Sequence, residues 1–283
     1  MNTVSFFGKS VTRLIVGDNP FNGHSYIEYQ TTGQEMKSFY TAGKILETLS
    51  HIETSGINTI LPLADPFIVR LLAEYERSGG KLQYIFQPYM PMNQDVSIRQ
   101  LMELQGTIGI YHQGTTTDFL FESGRCEEIR SMLAKYRSMG IPVGLGTHRP
   151  DVIRLSEQEG WDVDFYMACL QNARRNREGE ASGFLTGKTK ASLRFYPEDR
   201  PIMLDLIASV PKPVIAFKIF AGGQIFHGKT EAEKRDAITG VYEEVFTAIK
   251  PGDMAAIGIF QRDRDELAED VQLYEQWYAA KNQ

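Results

Sequence analysis

Eight short apolar runs, each followed by an amphipathic segment, constrain this chain more than any other feature. The runs are RLIVG (13–17), NTILPL (58–63), LQYIFQ (82–87), TIGIYH (107–112), PVGLGTH (142–148), VDFYMACLQ (163–171), PVIAFKIF (213–220) and MAAIGIF (254–260). Most are continuously apolar rather than alternating, the pattern of strands covered on both faces or closed into a barrel. Between them lie helical stripes such as EMKSFYTAGKILETLSHIETSG (35–56), where Phe39, Ile45, Leu49 and Ile52 fall on one face and Gly56 stops the helix. Helix, glycine, buried strand recurs along the chain. Eight such βα units predict a single (β/α)8 TIM barrel spanning 1–283, and 283 residues suit a fold of roughly 250. A doubly wound open sheet has a similar rhythm, but no GxGxxG follows the first strand.

Two segments depart from the repeat. TVSFFGKSVTRL reads as a β-hairpin over residues 1–12 at the bottom of the barrel, turning at Gly8-Lys9. Residues 173–200, after the sixth run, form a long polar loop rich in Gly, Arg and Lys. A connection of that length is usually functional or unstructured. Its basic residues, Arg174, Arg175, Arg177, Lys188, Lys190 and Arg194, can close on an anionic substrate or simply be solvated.

Composition narrows the class. The net charge of −6 argues against nucleic acid or anionic membrane as bulk partners. No run reaches the ~18 apolar residues of a membrane span. The N-terminus lacks the apolar core of a signal peptide. Cys126 and Cys169 have neither metal-ligand nor disulfide-framework spacing. The expected setting is cytoplasmic and the expected partner a small molecule. Nothing in the sequence fixes an oligomeric state.

Barrel enzymes place their chemistry at the C-terminal strand ends. Here those ends carry Asp18, Asn19, Asp65, Gln87, His112, His148, Gln171, Asn172, Lys218 and Gln261, with His24 just beyond the first run. Such residues also cap helices and fix loops, so convergence rather than any single residue carries the expectation. His112, His148, Asp65 and Lys218 are the catalytic candidates, and His112 and Lys218 are expected to share one cavity. Asp18, His24, Gln87 and Asn172 are the substrate-binding candidates. Lys218, inside VIAFKIFAGG, needs a partner for its ammonium or its pKa falls toward neutrality, making it a general base or Schiff-base former. AGGQIFHGK (221–229) can cradle a phosphate at Gly222 and Gly223, or be a plain turn. His24, Asp65, His112 and His148 can meet at the mouth, but without HxxxH or HxH spacing no metal is expected.

The order of these pieces resembles the aldo-keto reductases. VSFFGKSVTRLIVGDN is similar to their N-terminal hairpin and first strand, SGINTILPLAD to their second, and IGIYHQG to the strand ending in their catalytic histidine. RCEEIRSMLAKYRSMGIPVGLGTHRPDVIRLSEQEGWDVDFYMACLQN resembles helix four through strand six. VIAFKIFAGGQIFHGK and AIGIFQRDRDELAEDV resemble strands seven and eight with their cofactor-contacting loops. The resemblance implies NADP as cofactor. Gln171 would hold the nicotinamide amide, Phe217 would stack on its ring, Thr147 or His148 would fall where a Ser-Asn pair belongs, and Gly222, Gly223 and Arg262 would lie on the cofactor side.

Of the family's Asp, Tyr, Lys and His tetrad, only His112 matches. The Asp falls on Leu61, the Tyr near Pro66 with Asp65 beside it, and the Lys near Gln87. The implied function is a divergent oxidoreductase acting on a small carbonyl or sugar-like substrate, with His112 polarising the carbonyl and Lys218 replacing the tyrosine. The alternatives are a cofactor-free or metal-assisted lyase, isomerase or epimerase of sugars or sugar phosphates using His112 and Lys218, or a non-catalytic ligand-binding barrel.

Overall fold

A computed structural model describes residues 1–88, 95–171 and 195–282. Each of the eight apolar runs contains a strand, because buried continuous runs bounded by turns have few alternatives. After a hairpin of β1 (Thr3–Phe6) and β2 (Lys9–Thr12), the barrel strands are β3 (Leu14–Gly17), β4 (Thr59–Leu61) with its continuation β5 (Leu63–Ala64), β6 (Gln83–Pro88), β7 (Thr107–His112), β8 (Val143–Thr147), β9 (Phe165–Cys169), β10 (Val214–Phe217) and β11 (Met254–Gly258). All barrel pairings are parallel. β11 pairs with β3 and β4 with β6, so the sheet closes on itself as a (β/α)8 TIM barrel.

Two apolar layers follow from the strand alternation. An inner cluster of Ile15, Leu61, Ile85, Tyr111, Phe165, Met167, Ile215, Met254 and Ala256 fills the lumen. The antiparallel hairpin contributes Phe6 and Val11 to it, with Phe6 edge-on to Phe165 at 5.1 Å, so the N-terminal end is plugged and the opposite end is left for ligand. A larger outer cluster packs the helices on the strands.

Helix starts are set locally. Thr32 with Glu35 and Thr230 with Glu233 form capping boxes. Asp65 caps helix Pro66–Arg77, its Oδ1 accepting from the amides of Phe67 at 2.8 Å and Ile68 at 2.9 Å. Among the described residues, no helix is long and apolar enough to cross a membrane. Asn172 and the basic stretch 173–194 lie outside the described residues. The final residues assigned from sequence to that loop are ordered, and helix Asp199–Ser209 begins within them.

Candidate active site

A cavity of about 500 Å3 opens at the C-terminal end of the barrel. Its walls include Asp18, Asn19, His24, Tyr26, Gln87, Tyr111, His148, Phe217 and Lys218. The structure therefore brings together six residues expected from sequence: Asp18, His24, Gln87, His148, Phe217 and Lys218. Gly222 and Gly223 also line it.

His112 is not among the lining residues, which corrects its assignment as a catalytic group. Residues of a strand alternate between faces, and β7 turns Tyr111 inward and His112 outward. Tyr111 reaches the cavity and donates to Gln87 Oε1 at 3.1 Å. The His112 ring packs against Tyr136 of helix Cys126–Arg137, and its Nδ1 bonds Thr117 Oγ1 at 2.7 Å. Thr117 in turn donates to the Gln113 carbonyl at 3.0 Å, so Nδ1 carries the proton. Burial lowers the His112 pKa to about 4, with the Asp118 charge a smaller opposing influence.

This pKa makes a testable stability signature. The unfolded histidine, near 6.5, binds its proton before the folded one, so the stability it confers is complete above 6.5 and is lost as pH falls toward 4. His112→Leu should remove about 2–3 kcal/mol of the acid-side destabilisation between pH 7.5 and 4.5, read from urea midpoints, while activity at neutral pH is unchanged. A large loss of turnover in a folded His112→Leu protein would return this residue to the site.

Asp65 is likewise corrected. Its carboxylate is spent on the helix cap described above, and it does not line the cavity.

The site instead centres on a buried chain of three polar side chains. Asp118, in helix Gly114–Glu122, is fully buried. Its Oδ2 bonds His148 Nδ1 at 2.8 Å, and its carboxylate also accepts from the His148 amide at 3.2 Å and from Thr147 Oγ1 at 2.5 Å. His148 Nε2 then meets Lys218 Nζ at 2.8 Å. With its proton on Nδ1, the imidazole donates to Asp118 and accepts from Lys218, so one tautomer satisfies both bonds. The ammonium gives one hydrogen to His148 and has Tyr26 as a further hydrogen-bonding neighbour.

Lys218 departs from its expected chemistry. Burial works to discharge its ammonium, but Tyr26, Cys169 and Asp118 more than offset that, and its pKa lies above the ordinary lysine range. The rings of Tyr26, Phe217 and Phe195 surround the charge at 4.7, 5.4 and 5.5 Å from Nζ to ring centroid, a favourable arrangement for a cation. The expectation of a lowered lysine pKa is therefore corrected in sign. The backbone of Lys218 is left-handed, with φ 55°, as is that of Ala221 at 51°. Such a conformation costs a non-glycine residue about 1–2 kcal/mol and clusters at functional sites.

Asp18, one residue past β3, is buried, and its pKa is raised to about 7. Burial is the cause. The hydrogen bonds to Oδ2 from the Leu63 amide at 2.6 Å and Asn22 Nδ2 at 2.8 Å oppose it. His24 is pushed down to about 4 by burial and then by the charges of Lys37 and Lys218. The cavity thus holds a permanent ammonium and a carboxyl that titrates near neutrality.

Two of the groups expected to hold NADP, Gln171 and Arg262, are engaged by other side chains and backbone. Gln171, oriented by its neighbours, donates its amide to the Lys218 carbonyl at 2.8 Å and accepts from Arg200 at 2.9 Å, outside the cavity wall. Arg262 forks onto Asp263 at 2.9 Å through both nitrogens and also meets Glu35. The amides of Ala221 and Gly223 are used inside their own turn, on Lys218 O at 2.8 Å and Phe220 O at 2.9 Å. Phe217, Gly222 and Gly223 line the cavity, whereas Gln171 and Arg262 do not. No group of three or more His, Cys, Asp or Glu among the described residues is placed to hold a metal ion.

Sequence reasoning missed Asp118, Tyr26 and Tyr111. Asp118 carried one signal, a carboxylate between Thr117 and Phe119 in the otherwise uncharged stretch TTTDFLF.

No protein-family model matches this sequence, and no curated protein matches it. Solved structures do share its shape. An aldo-keto reductase from Bacillus halodurans in its holo form is 11% identical, with TM-score 0.57 over 97% of this chain and 90% of that one. A truncated 3-deoxy-D-arabino-heptulosonate 7-phosphate synthase from Thermotoga maritima is 14% identical, with TM-score 0.56 over 99% and 93%. Dihydropteroate synthase from Xanthomonas albilineans is 9% identical, with TM-score 0.52 over 99% of both chains. The fold is a TIM barrel. At these identities the likeness extends to the barrel and not to one family within it, since one barrel hosts many chemistries.

Proposed function

We propose that this protein is an enzyme that moves protons on a small, sugar-like carbonyl compound, an isomerase, epimerase or lyase rather than a nicotinamide-dependent reductase. The observation that carries the reading is the Asp118–His148–Lys218 chain, which delivers a fixed ammonium into a cavity that also holds Asp18. In the proposed step, ionised Asp18 takes a proton from the carbon next to the carbonyl. The C–H electron pair forms the new C=C bond, and the carbonyl π pair moves onto oxygen. The Lys218 ammonium bonds that oxygen as its negative charge develops, a donor preorganised by His148. Return of the proton to the neighbouring carbon, with the hydroxyl proton of the deprotonated carbon passing to the former carbonyl oxygen, gives an isomer; return to the opposite face of the same carbon, after the enolate has turned over in the cavity, gives an epimer. If the base instead takes the proton of a β-hydroxyl, that O–H pair forms a new carbonyl, the C–C pair becomes the enolate held by Lys218, and its reprotonation completes a lyase reaction.

The pKa values support these roles. An acid–base group works best near the operating pH, and Asp18 titrates at about 7. A lysine held above its usual range is charged at neutral pH, suited to stabilising an enolate and poorly suited to Schiff-base attack. A divergent aldo-keto-reductase-like oxidoreductase is the competing reading, favoured by the placement of Phe217.

The test is deuterium exchange. Aldoses and ketoses of three to six carbons are incubated with the protein in D2O and followed by NMR. Expected is incorporation next to the carbonyl of at least one of them, with a rate that rises with pH through about 7 as Asp18 ionises. NADPH titrated in parallel should show no saturable fluorescence change. Saturable NADPH binding with carbonyl reduction, and no exchange, would replace this reading with the reductase one.

A further inference from the structure

The cavity extends to the loop after β11 and the start of helix Glu231–Ala248, where Glu231, Lys234 and Arg264 form part of its outer wall. In TIM barrels the loops after the last two strands often bind phosphate. The ingredients of such a site are present here, two cations and a helix N-terminus, but every one is already occupied by a carboxylate or cap. Glu231 bridges both cations, with Oε1 2.6 Å from Lys234 Nζ and Oε2 2.6 Å from Arg264 Nη1. Glu269 adds a second carboxylate to Arg264 at 3.1 Å. The first turn of the helix closes on itself, the Thr230 amide donating to Glu233 Oε2 at 2.7 Å. The preceding turn is also shut: a Cβ on Gly222 would lie 2.6 Å from Tyr26 Cβ, so that face is covered by protein. Other parts of the wall, in contrast, offer uncharged donors and acceptors such as Asn19, Thr31 and Gln87.

We infer that Glu231 is a specificity-determining residue: it neutralises Lys234 and Arg264, the cations of this outer wall among the described residues, so this wall disfavours phosphate esters and the cavity takes unphosphorylated, hydroxylated carbonyl compounds. This deepens the proton-transfer reading and rests on it for the word substrate. The selection itself is electrostatic and can be measured without turnover. A dianionic phosphate at the mouth would face the carboxylate of Glu231 directly, whereas a free hydroxyl would not. Glu231 is 66% exposed through its side chain, so its removal leaves folding undisturbed and its effect is a screened one.

The experiment measures inorganic phosphate binding by calorimetry in low-salt buffer for wild type, Glu231→Gln and the double variant Glu231→Gln/Lys234→Met. Glu231→Gln should bind phosphate about two- to fivefold more tightly than wild type, the size of a freed surface charge pair, and the double variant should lose that gain. In the exchange assay, wild type should favour glucose over glucose 6-phosphate, and Glu231→Gln should narrow the gap. Wild type binding phosphate as tightly as Glu231→Gln would overturn the inference, as would exchange on glucose 6-phosphate as fast as on glucose. If no sugar exchanges at all, the proton-transfer reading falls, and the calorimetry alone still decides whether Glu231 excludes phosphate.

Discussion

Lys218→Met is expected to slow substrate deuterium exchange by about 10²–10³-fold while leaving the urea midpoint close to that of wild type, because removal of one preorganised donor to a developing oxyanion costs that much. Methionine keeps the length and apolar stem of lysine, so the Tyr26, Phe195 and Phe217 rings retain a packing partner. The charge is what disappears. Because the wild-type ammonium ionises above the usual lysine range, no alkaline loss of activity from Lys218 is expected near neutrality, and the neutral-pH limb belongs to Asp18. Asp18→Asn should abolish that limb along with most of the activity. Trapping by borohydride separates mechanisms: a reductively stable adduct on Lys218 would mean that the amine attacks the carbonyl, and that Lys218 acts as a nucleophile. Full exchange in a folded Lys218→Met protein would remove the ammonium from the mechanism altogether.

The barrel was legible from the sequence because parallel strands buried on both faces leave continuous apolar runs, and all eight runs became strands. The same property hid part of the site. In an alternating strand the polar face declares itself, but in TIGIYH both faces are buried, and nothing in the run says whether Tyr111 or His112 points inward. A one-residue slip exchanges the two faces. The resemblance to aldo-keto reductases reinforced the choice of His112. Lys218 and Asp18 were legible because charges beside apolar runs are costly and must be explained. Asp65 looked equivalent by the same rule, yet Asp-Pro opens a helix, and capping was the simpler use of its carboxylate. Asp118 was hidden for another reason. It belongs to the helix after β7 but serves the strand end of β8, a contact made only by the closed barrel.

Asp118 should therefore show the largest combined effect on stability and activity. It accepts three hydrogen bonds with no water-facing surface, and Asp118→Ala leaves the donors of Thr147 and His148 unpaired in the interior. Breaking a buried charged network in this way costs about 3–5 kcal/mol, on the order of 10 °C in Tm for a chain of this size. Asp118→Asn separates the structural role from the positioning one. Its amide oxygen can still accept from Thr147, so the stability loss should be the smaller of the two. Its NH2 group then faces His148 Nδ1, which accepts only if the imidazole proton moves to Nε2. An Nε2–H pointing at the Lys218 ammonium is a donor against a donor, and the 2.8 Å bond that aims Lys218 cannot form. Asp118→Asn should thus lower exchange by at least about tenfold through kcat with little change in KM, since the substrate-binding walls are untouched. The histidine tautomer can be read directly from 15N chemical shifts of His148. A protein with the His148 proton still on Nδ1 and wild-type exchange would show that Lys218 is aimed by something other than this relay.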